Sequence, residues 1–394
     1  MNDGMKYGLL LLLLFCSLVL SAQSYKKLHQ KAIVTDSHND ILSTCIEKHY
    51  SFDENLKGKT HSDLNRMREG GIDVQVFSIW CDASYGKGEA FNRAIREIDT
   101  LYAVAARNPA KMAIVKNYND LQEALRHRLL AAMMGVEGGH MIEENISYLD
   151  SFKKRGVCYM TLTWNNSTPW ATSARDESHD SALHQSKGLN DFGRQIVKRM
   201  NDMGMMVDVS HVGEQTFWDV IKTTTKPIIA SHSDAYTLCP VPRNLKDSQI
   251  VAIAKNGGVI DVNFYPGFID SSFDRKERAF NTRHKNERDS LLKLNPETYY
   301  ASDYLYAKYK DEIQAMRPPL SMLIDHIDYL VRLAGIDHVG LGSDLDGISI
   351  TPQQIDDITD YPLITKALRK RGYSKRNVRK ILGGNFLRVY KANQ

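Results

Sequence analysis

Apolar and polar residues follow two alternating patterns from about residue 32 to the C-terminus. Short runs rich in β-branched and other apolar residues predict strands, and longer segments with apolar residues every three or four positions predict amphipathic helices. The predicted strands cover residues 32–35, 74–79, 130–134, 159–163, 205–209, 227–230, 259–262 and 339–341. The predicted helices cover residues 90–106, 121–128, 146–154, 190–203, 214–223, 248–255, 321–334, 363–371 and 375–391. Eight strands alternating with helices predict an α/β fold, a (β/α)8 TIM barrel, with a doubly wound parallel sheet as the structural alternative.

The organisation along the chain indicates one domain, because no low-complexity linker or change of composition divides it. A long connection at residues 264–317 follows the seventh predicted strand and is rich in charged and aromatic residues. So long a loop insertion on the rim of a barrel is usually functional or oligomeric. A solvated helical insertion without a role in chemistry is the other interpretation, and the sequence does not choose between the two.

The N-terminal residues carry a targeting pattern. Lys6 precedes an unbroken apolar run at residues 8–20, which is followed by Ser21, Ala22 and Gln23. The run is shorter than the ~20 residues that cross a bilayer as a helix. A basic flank, a short apolar stretch and small residues are typical of a secretory signal peptide. We therefore expect residues 1–22 to be removed and residues 23–394 to form the barrel of an exported protein, periplasmic or secreted. An uncleaved membrane anchor is the alternative.

Composition narrows the class of protein without revealing its function. The 394 residues are 42% hydrophobic and 25% charged, which excludes disordered, collagen-like and coiled-coil chains. The formal net charge of +4 is small and well mixed, so neither nucleic acid nor an anionic membrane is an expected partner. Cys45, Cys81, Cys158 and Cys239 would remain in the mature chain. Their irregular spacing reveals no disulfide pattern and no structural zinc motif.

Residues with metal-binding side chains gather where the predicted strands end. His38 and Asp40 follow the first strand, and residues two apart in an extended chain face the same side. Further imidazoles or carboxylates follow the third, fifth, sixth and eighth strands, at Glu137, His211, His232 and Asp344. Any one of them alone would be interpreted as a hydrogen-bonded loop residue. Because barrel enzymes hold their sites at the C-terminal rim, the set as a whole suits a pair of borderline cations such as Zn²⁺.

The motifs around these residues are similar to those of the membrane dipeptidase (renal dipeptidase) family of zinc peptidases, within the metal-dependent amidohydrolases. The resemblance extends from about residue 34 to residue 389, nearly the whole expected mature chain. It rests on SHND (37–40), GVEGGH (135–140), YMTLT (159–163), DVSH (208–211), SHSDAYTLCPVPRN (231–244), HVGLGSDLDG (338–347) and GNFLRV (384–389). Taken together, these motifs are highly specific.

The resemblance implies two zinc ions per chain. His38 and Asp40 would hold one ion, His211 and His232 would hold the other, and Glu137 would bridge them. Two zinc ions lower the pKa of a bridging water toward neutrality, which yields hydroxide beside a polarised carbonyl. Similar ligand sets accept Mn²⁺ or Co²⁺, so the identity of the metal in the cell stays open.

The resemblance also implies how a substrate is held and cleaved. Arg243 matches the family's arginine for the terminal carboxylate of the substrate, which a guanidinium binds through two hydrogen bonds. Asp344 matches the acid that accepts a proton from the activated water and passes it to the leaving amine. Glu137 and Asp344 are thus the candidate catalytic residues, and Arg243 and Asp344 the candidate substrate contacts. His140, near Glu137 in the sequence, is a candidate for orienting a metal ligand.

One position departs from the family pattern. Many members have a histidine after the fourth strand that contacts the substrate near its scissile carbonyl, and the matching residue here is Trp164. Indole offers one N–H donor and no basic site, so it does not replace an imidazolium. Three interpretations stay open. The indole N–H or a neighbouring Asn amide stabilises the oxyanion, the substrate sits differently, or Trp164 has a simple packing role.

The function that follows is an exported dinuclear zinc dipeptidase that cleaves a dipeptide with a free C-terminal carboxylate. The resemblance further implies tolerance for a D-residue at the second position. The nearest alternative is another amidohydrolase activity on the same metals, such as lactone or N-acyl amino acid hydrolysis. A non-catalytic binding protein on the same barrel is a second alternative, although the full metal set with Asp344 argues against it. Relatives form dimers, so a homodimer is the candidate assembly, with no stable membrane insertion after cleavage.

Overall fold

The computed structural model describes residues 25–179, 187–295 and 298–394. In this part of the chain one parallel sheet contains the strands β1 (Thr35–Asn39), β2 (Val74–Ile79), β3 (Met112–Ile114), β4 (Leu130–Glu137), β5 (Val157–Thr161), β6 (Met206–Asp208), β7 (Ile229–Ala230), β8 (Val259–Val262) and β9 (Val339–Leu341). Eight of these strands lie side by side in the order β1-β2-β4-β5-β6-β7-β8-β9. The short β3 pairs with the first residues of β4.

The two ends of this sheet meet and nearly close it into a barrel. Asn39, at the end of β1, forms a parallel bridge with Leu345, just beyond β9. The backbone N–H of Asp40 donates to the carbonyl of Leu345 at 2.9 Å. A doubly wound sheet keeps its edge strands apart, so these contacts exclude that alternative. The predicted (β/α)8 TIM barrel is confirmed.

Helices surround the barrel and cover the outer faces of its strands. They span Ile41–Lys48, Leu64–Glu69, Ala90–Arg107, Tyr118–Arg126, Ile146–Lys154, Ala174–His179, Asp191–Asp202, Glu214–Thr223, Asp247–Lys255, Pro266–Ile269, Phe273–Arg283, Lys285–Leu294, Thr298–Lys308, Lys310–Met316, Leu320–Ala334, Tyr361–Lys370, Lys375–Arg379 and Asn385–Asn393. Short 3-10 turns span Ala83–Tyr85, Gly139–Ile142 and Ile358–Asp360, and a π-helical segment spans Lys380–Gly384. Residues 25–31 are also helical.

The strands are buried on both faces, as parallel strands between helices and a barrel interior must be. All residues of β2 and β4 are buried. Along β2, Val76 belongs to the inner apolar cluster, whereas Phe77 and Ile79 belong to the cluster between the strands and the helices. This alternation positions the polar residues at the strand ends, because every second side chain there faces the centre of the rim.

The first strand differs from its prediction. Residues 32–35 were expected, but β1 begins at Thr35 and continues to Asn39, so the polar sequence TDSHN is itself a fully buried strand. Polar residues in a strand are tolerated here because partners from other strands satisfy them. The backbone N–H and the hydroxyl of Ser343 donate to the two carboxylate oxygens of Asp36 at 2.8 and 2.7 Å.

The insertion after the seventh barrel strand, now β8, lies where the sequence placed it. It consists of helices rather than open loop, and these helices share a small apolar core that includes Phe273, Phe280 and Leu305. Lys48 and Asp303 form an ion pair at 2.6 Å between the helix after β1 and the insertion. The helical character agrees with the interpretation as a helical insertion, and a role in function or assembly stays a prediction.

Three further expectations concern the ends and the cysteines. The expected signal peptide, residues 1–22, lies outside the described residues. A search of the helices between residues 25 and 394 that the structure describes finds none long and apolar enough to cross a membrane. Cys45, Cys81, Cys158 and Cys239 are buried free thiols, which agrees with a sequence that offered no disulfide pattern.

Candidate functional site

The C-terminal ends of the strands bring the predicted metal ligands into one cluster. His38 Nε2 lies 3.5 Å from Asp40 Oδ2 and 3.3 Å from Glu137 Oε2. His38 comes from β1, Asp40 follows that strand directly, and Glu137 is the last residue of β4. All three residues are buried. One side of the cluster therefore combines an imidazole with two carboxylates.

Two further imidazoles line the other side of Glu137. Its Oε1 atom lies 2.9 Å from His211 Nε2 and 3.5 Å from His232 Nε2. The two Nε2 atoms of these histidines are 2.9 Å apart. Glu137 thus presents Oε2 to His38 and Oε1 to the other two histidines, which is the arrangement that a bridging carboxylate requires.

Several buried atoms of this cluster lack a hydrogen-bond partner, among them His38 Nε2, Asp40 Oδ2 and His211 Nδ1. A buried polar atom without a partner costs about 1–3 kcal/mol, so their concentration at one place indicates a site for a ligand. Imidazole nitrogens and carboxylate oxygens are the ligand types of Zn²⁺ and similar cations. Ligand atoms of His38, Glu137 and His232 all lie within 4.8 Å of one another. The residues therefore fit a metal centre.

A tyrosine from β5 orients the ring of His38. His38 Nδ1 lies 2.8 Å from the hydroxyl of Tyr159. That hydroxyl donates to the carbonyl of Ser37 at 2.9 Å, so it accepts from the Nδ1–H of the imidazole. Nε2 of His38 then faces the two carboxylates and is the ring nitrogen placed to bind a metal.

His232 is oriented by an equivalent chain of hydrogen bonds. Its Nδ1 lies 2.7 Å from the hydroxyl of Ser231, and that hydroxyl donates to Asp208 Oδ2 at 2.6 Å. The sequence alone indicated no role for Tyr159, Ser231 or Asp208. Each of the three residues lies inside one of the family motifs, in YMTLT, SHSD or DVSH. Their roles as orienting partners depend on which strands become neighbours, which a motif does not indicate.

The buried carboxylates make one part of the cluster favourable for positive charge. Burial lowers the pKa of His38, but the carboxylates of Asp40 and Glu137 outweigh burial and raise that pKa to about 10. Burial, with the positive charge of Arg243, lowers the pKa of His211 to about 4. Burial also holds the pKa of His232 well below its ordinary value. The latter two imidazoles are therefore neutral near pH 7, as metal ligands must be.

Asp344 lies beside His38 and Asp40 at the turn after β9. Ligand atoms of these three residues lie within 4.8 Å of one another. Asp344 Oδ2 accepts a hydrogen bond from Asn263 Nδ2 at 2.9 Å. Burial raises the pKa of Asp344, and the charge of Glu137 adds to this effect although His38 opposes it. A carboxyl group whose pKa moves toward neutrality is suited to accept and return a proton.

A glycine leaves the space that the two aspartates share. A Cβ atom at Gly347 would lie 2.3 Å from Asp40 Oδ2 and 2.7 Å from Asp344 Oδ1. Any other residue there would displace one of these carboxylates. The SDLDG motif therefore contributes this close approach as well as the acid itself.

Arg243 lies on the loop after β7, close to the metal cluster. Its Nη2 donates to the carbonyl of His232 at 3.2 Å, and its guanidinium stands over the ring of Phe268 at 5.2 Å. Its Nε is buried and has no hydrogen-bond partner. Together with His211, Arg243 lines a cavity of about 250 Å³. The guanidinium thus has an unsatisfied donor, which suits an anionic group of a ligand.

Trp164 and His140, two further candidate residues, have other neighbours. Trp164 packs edge-on against Trp80, with ring centroids 5.0 Å apart and an interplanar angle of 63°, and its oxyanion role stays a prediction. His140 Nε2 lies 3.0 Å from the carbonyl of Cys81, while its Nδ1 is buried without a partner. These contacts attach His140 to the segment after β2 rather than to a candidate metal ligand.

Comparison with known sequences finds relatives along nearly the whole chain. The profile of the membrane dipeptidase family (peptidase family M19) matches residues 22–394. An uncharacterized dipeptidase of Schizosaccharomyces pombe is 30% identical over 394 aligned residues, which cover 95% of this chain and 84% of the relative.

Solved structures share the fold. The probable dipeptidase PvdM from Pseudomonas aeruginosa superimposes with a TM-score of 0.77 at 25% identity, over 95% of this chain and 98% of that one. A metallo peptidase from Rhodobacter sphaeroides, liganded with a phosphinate mimic of the dipeptide L-Ala-D-Ala, gives a TM-score of 0.74 at 22% identity. That alignment covers 92% of this chain and all of the other. The barrel described above is thus the fold that these two proteins share.

Proposed function

The chain belongs to the membrane dipeptidase family of metal-dependent dipeptidases, and from that premise we propose that it is a dinuclear zinc enzyme acting on dipeptides with a free C-terminal carboxylate. The observation that carries this proposal is the position of Glu137. Its two carboxylate oxygens face different imidazoles, His38 on one side and His211 with His232 on the other. A carboxylate shared in this way supports two adjacent cations rather than one.

The chemistry supplied by two such cations, when bound, is an activated water near neutral pH and polarisation of the scissile carbonyl. His38 and Asp40 would hold one cation and His211 and His232 the other, with Glu137 between them. Tyr159 and Ser231 accept from the Nδ1 atoms of His38 and His232 and thereby direct the Nε2 atoms of both rings toward Glu137.

The protein's own groups hold and cleave the substrate around this centre. Arg243 binds the terminal carboxylate, because its unsatisfied Nε and its planar fork match two oxygen acceptors. Asp344 takes a proton from the attacking water and returns it to the leaving amine. The raised pKa of its buried carboxyl and the hydrogen bond from Asn263 support this transfer.

Tolerance for a D-residue at the second position is part of the proposal. The relative from Rhodobacter sphaeroides was solved with a phosphinate mimic of L-Ala-D-Ala, and this supports the same class of substrate here. Export is also proposed, on the basic flank and apolar run at residues 8–20. A homodimer is the proposed assembly, resting on the family resemblance.

Zinc analysis combined with a dipeptide panel tests the proposal. We expect about two zinc ions per chain, and hydrolysis of both L-Ala-L-Ala and L-Ala-D-Ala. Glu137→Gln is expected to lose both metals and activity, because the bridging charge is removed. Glu123→Gln is the matched control, since Glu123 forms an exposed ion pair with Arg126 on the helix Tyr118–Arg126, away from the strand ends. Fewer than one zinc ion per chain, or no hydrolysis with metal added, would defeat the proposal.

A further inference from the structure

An aromatic corner stands on the rim of the barrel, formed by Trp80 and Trp164. Trp80 follows β2 directly and Trp164 follows β5. Their rings meet edge to face at 5.0 Å, and both residues are half-buried. The two indoles form a large, partly exposed apolar surface beside a cluster of polar side chains. Such a surface suits an apolar group of a ligand.

The corner adjoins the candidate metal centre on the side of Glu137. A Cβ atom at Gly138, the residue after Glu137, would lie 3.3 Å from the Cβ of Trp164. Ser78 donates to Glu137 Oε2 at 3.3 Å, and Trp80 lies two positions beyond Ser78. Residues two apart on an extended chain face the same side, so the Trp80 side chain emerges on the face that Ser78 presents to Glu137.

The backbone of the corner is held in place by a buried ion pair. The N–H of Trp80 donates to Glu97 Oε2 at 2.7 Å. Glu97 is fully buried on the helix Ala90–Arg107 and is paired with Arg93 at 3.0 Å. A buried carboxyl group that accepts from the N–H of Trp80 fixes the backbone of residue 80 at this point of the rim.

Trp80 lies across the rim from the proposed carboxylate site, and Trp164, after β5, lies between the two. In the strand order β1-β2-β4-β5-β6-β7-β8-β9, four of eight steps separate β2 from β7, so the two strands stand on opposite sides. Trp80 follows β2, and Arg243 lies on the loop after β7. Two extended residues span about 7 Å. A dipeptide whose C-terminal carboxylate is bound by Arg243 would extend from β7 across the metal centre toward the side of the rim where Trp80 lies.

We propose that Trp80 and Trp164 form the subsite for the side chain of the N-terminal residue, and that this subsite selects large apolar side chains, aromatic ones above all. The inference rests on the proposed dipeptidase function and names its substrate class. Edge-to-face and stacked contacts with an indole pair favour a benzyl side chain over hydrogen or methyl.

A four-member dipeptide panel tests this assignment. The ratio of kcat/KM for Phe-Ala over Gly-Ala is expected to exceed tenfold in the wild-type protein and to fall by about tenfold in Trp164→Ala. Trp164→Phe keeps an aromatic ring and should retain most of the preference. The reversed pair, Ala-Phe over Ala-Gly, reports on the second residue, and its ratio should not change in either variant.

The control variant is Trp218→Ala, which removes an indole packed against Phe217 on an outer helix. It should leave both ratios at wild-type values. Should Trp164→Ala fail to fold, Trp80→Leu carries the same expected shift. Equal losses on all four dipeptides, or a fall in the reversed ratio, would overturn the subsite. Absence of any dipeptide hydrolysis by the wild-type protein would instead defeat the proposed function itself.

Discussion

The hydroxyl of Tyr159 accepts a hydrogen bond from His38 Nδ1 at 2.8 Å, although 121 positions of sequence separate the two residues. The ring of Tyr159 reaches β1 by passing over Gly135, its register partner on β4. A Cβ atom at residue 135 would lie 2.0 Å from the ring. The glycine of the GVEGGH motif thus makes room for the tyrosine that orients the first candidate ligand.

Removing this hydroxyl should weaken metal binding. Tyr159→Phe leaves His38 free to rotate or to change tautomer, and loss of such an orienting partner typically costs 10–100-fold in metal affinity, so a fall of about that size is expected. A competition titration with a zinc chelator measures it. Tyr102→Phe is the control, because the Tyr102 hydroxyl donates to the carbonyl of Arg155, outside the cluster. Equal zinc affinity in both variants would contradict the orienting role.

Replacing Arg243 by lysine should affect binding of the substrate more than turnover. Lysine keeps the charge but not the planar fork, and a hydrogen bond between charged groups contributes about 1.5–3 kcal/mol. KM for a dipeptide is therefore expected to rise by about 10- to 100-fold in Arg243→Lys. The dipeptide amide, which lacks the carboxylate, serves as the comparison substrate. A similar loss on the amide would show that Arg243 acts on something other than the terminal carboxylate.

If Asp344 transfers the proton, its replacement should lower the catalytic rate without lowering the zinc content. Asp344→Asn retains the shape of the side chain but not its ability to accept a proton, and kcat should fall by about 10²–10⁴ with zinc content unchanged. Loss of zinc together with activity would make Asp344 a ligand instead. Gly347→Ala, which would crowd both Asp40 and Asp344, is expected to lower zinc content and rate together.

Protonation of His326 is expected to reduce the stability of the folded protein in mild acid. Its Nδ1 accepts from the N–H of Ala235 and its Nε2 donates to the carbonyl of Ile269, both at 3.2 Å. Burial of this neutral ring lowers the pKa of His326 from 6.5 to about 4. Between these values the unfolded chain binds a proton that the folded protein does not, so stability falls as pH falls through this window.

Chemical denaturation at about pH 7 and about pH 5 measures the effect, which amounts to about 2 kcal/mol for one such histidine. His326→Gln should reduce the loss of unfolding free energy between the two pH values by that amount, whatever it does to stability at neutral pH. His127→Gln, at an exposed side chain, is the matched control. An unchanged pH dependence in His326→Gln would contradict the assignment.

Much of the fold was predictable because its periodic patterns are local. The strands Val74–Ile79, Val259–Val262 and Val339–Leu341 and the helices Ile146–Lys154 and Glu214–Thr223 have the bounds that the pattern indicated. The failures have equally physical causes. The first strand was predicted too early in the sequence, at residues 32–35, because the polar residues of β1 show no alternation of apolar and polar side chains. β3 was missed because the three residues Met112–Ile114 are too short to display a period.

The sequence by itself determined the alternation of strands and helices, the strand ends that carry metal-binding side chains, and the family to which the chain belongs. Local periodicity and the motifs at several strand ends, taken together along the chain, are sufficient for these conclusions. The tertiary structure decided that Glu137 divides its two oxygens between separate groups of imidazoles, that Tyr159 and Ser231 direct those rings, and that Trp80 meets Trp164. Each of these contacts joins residues from different strands. They form because closure of the sheet brings the ends of those strands together at one rim.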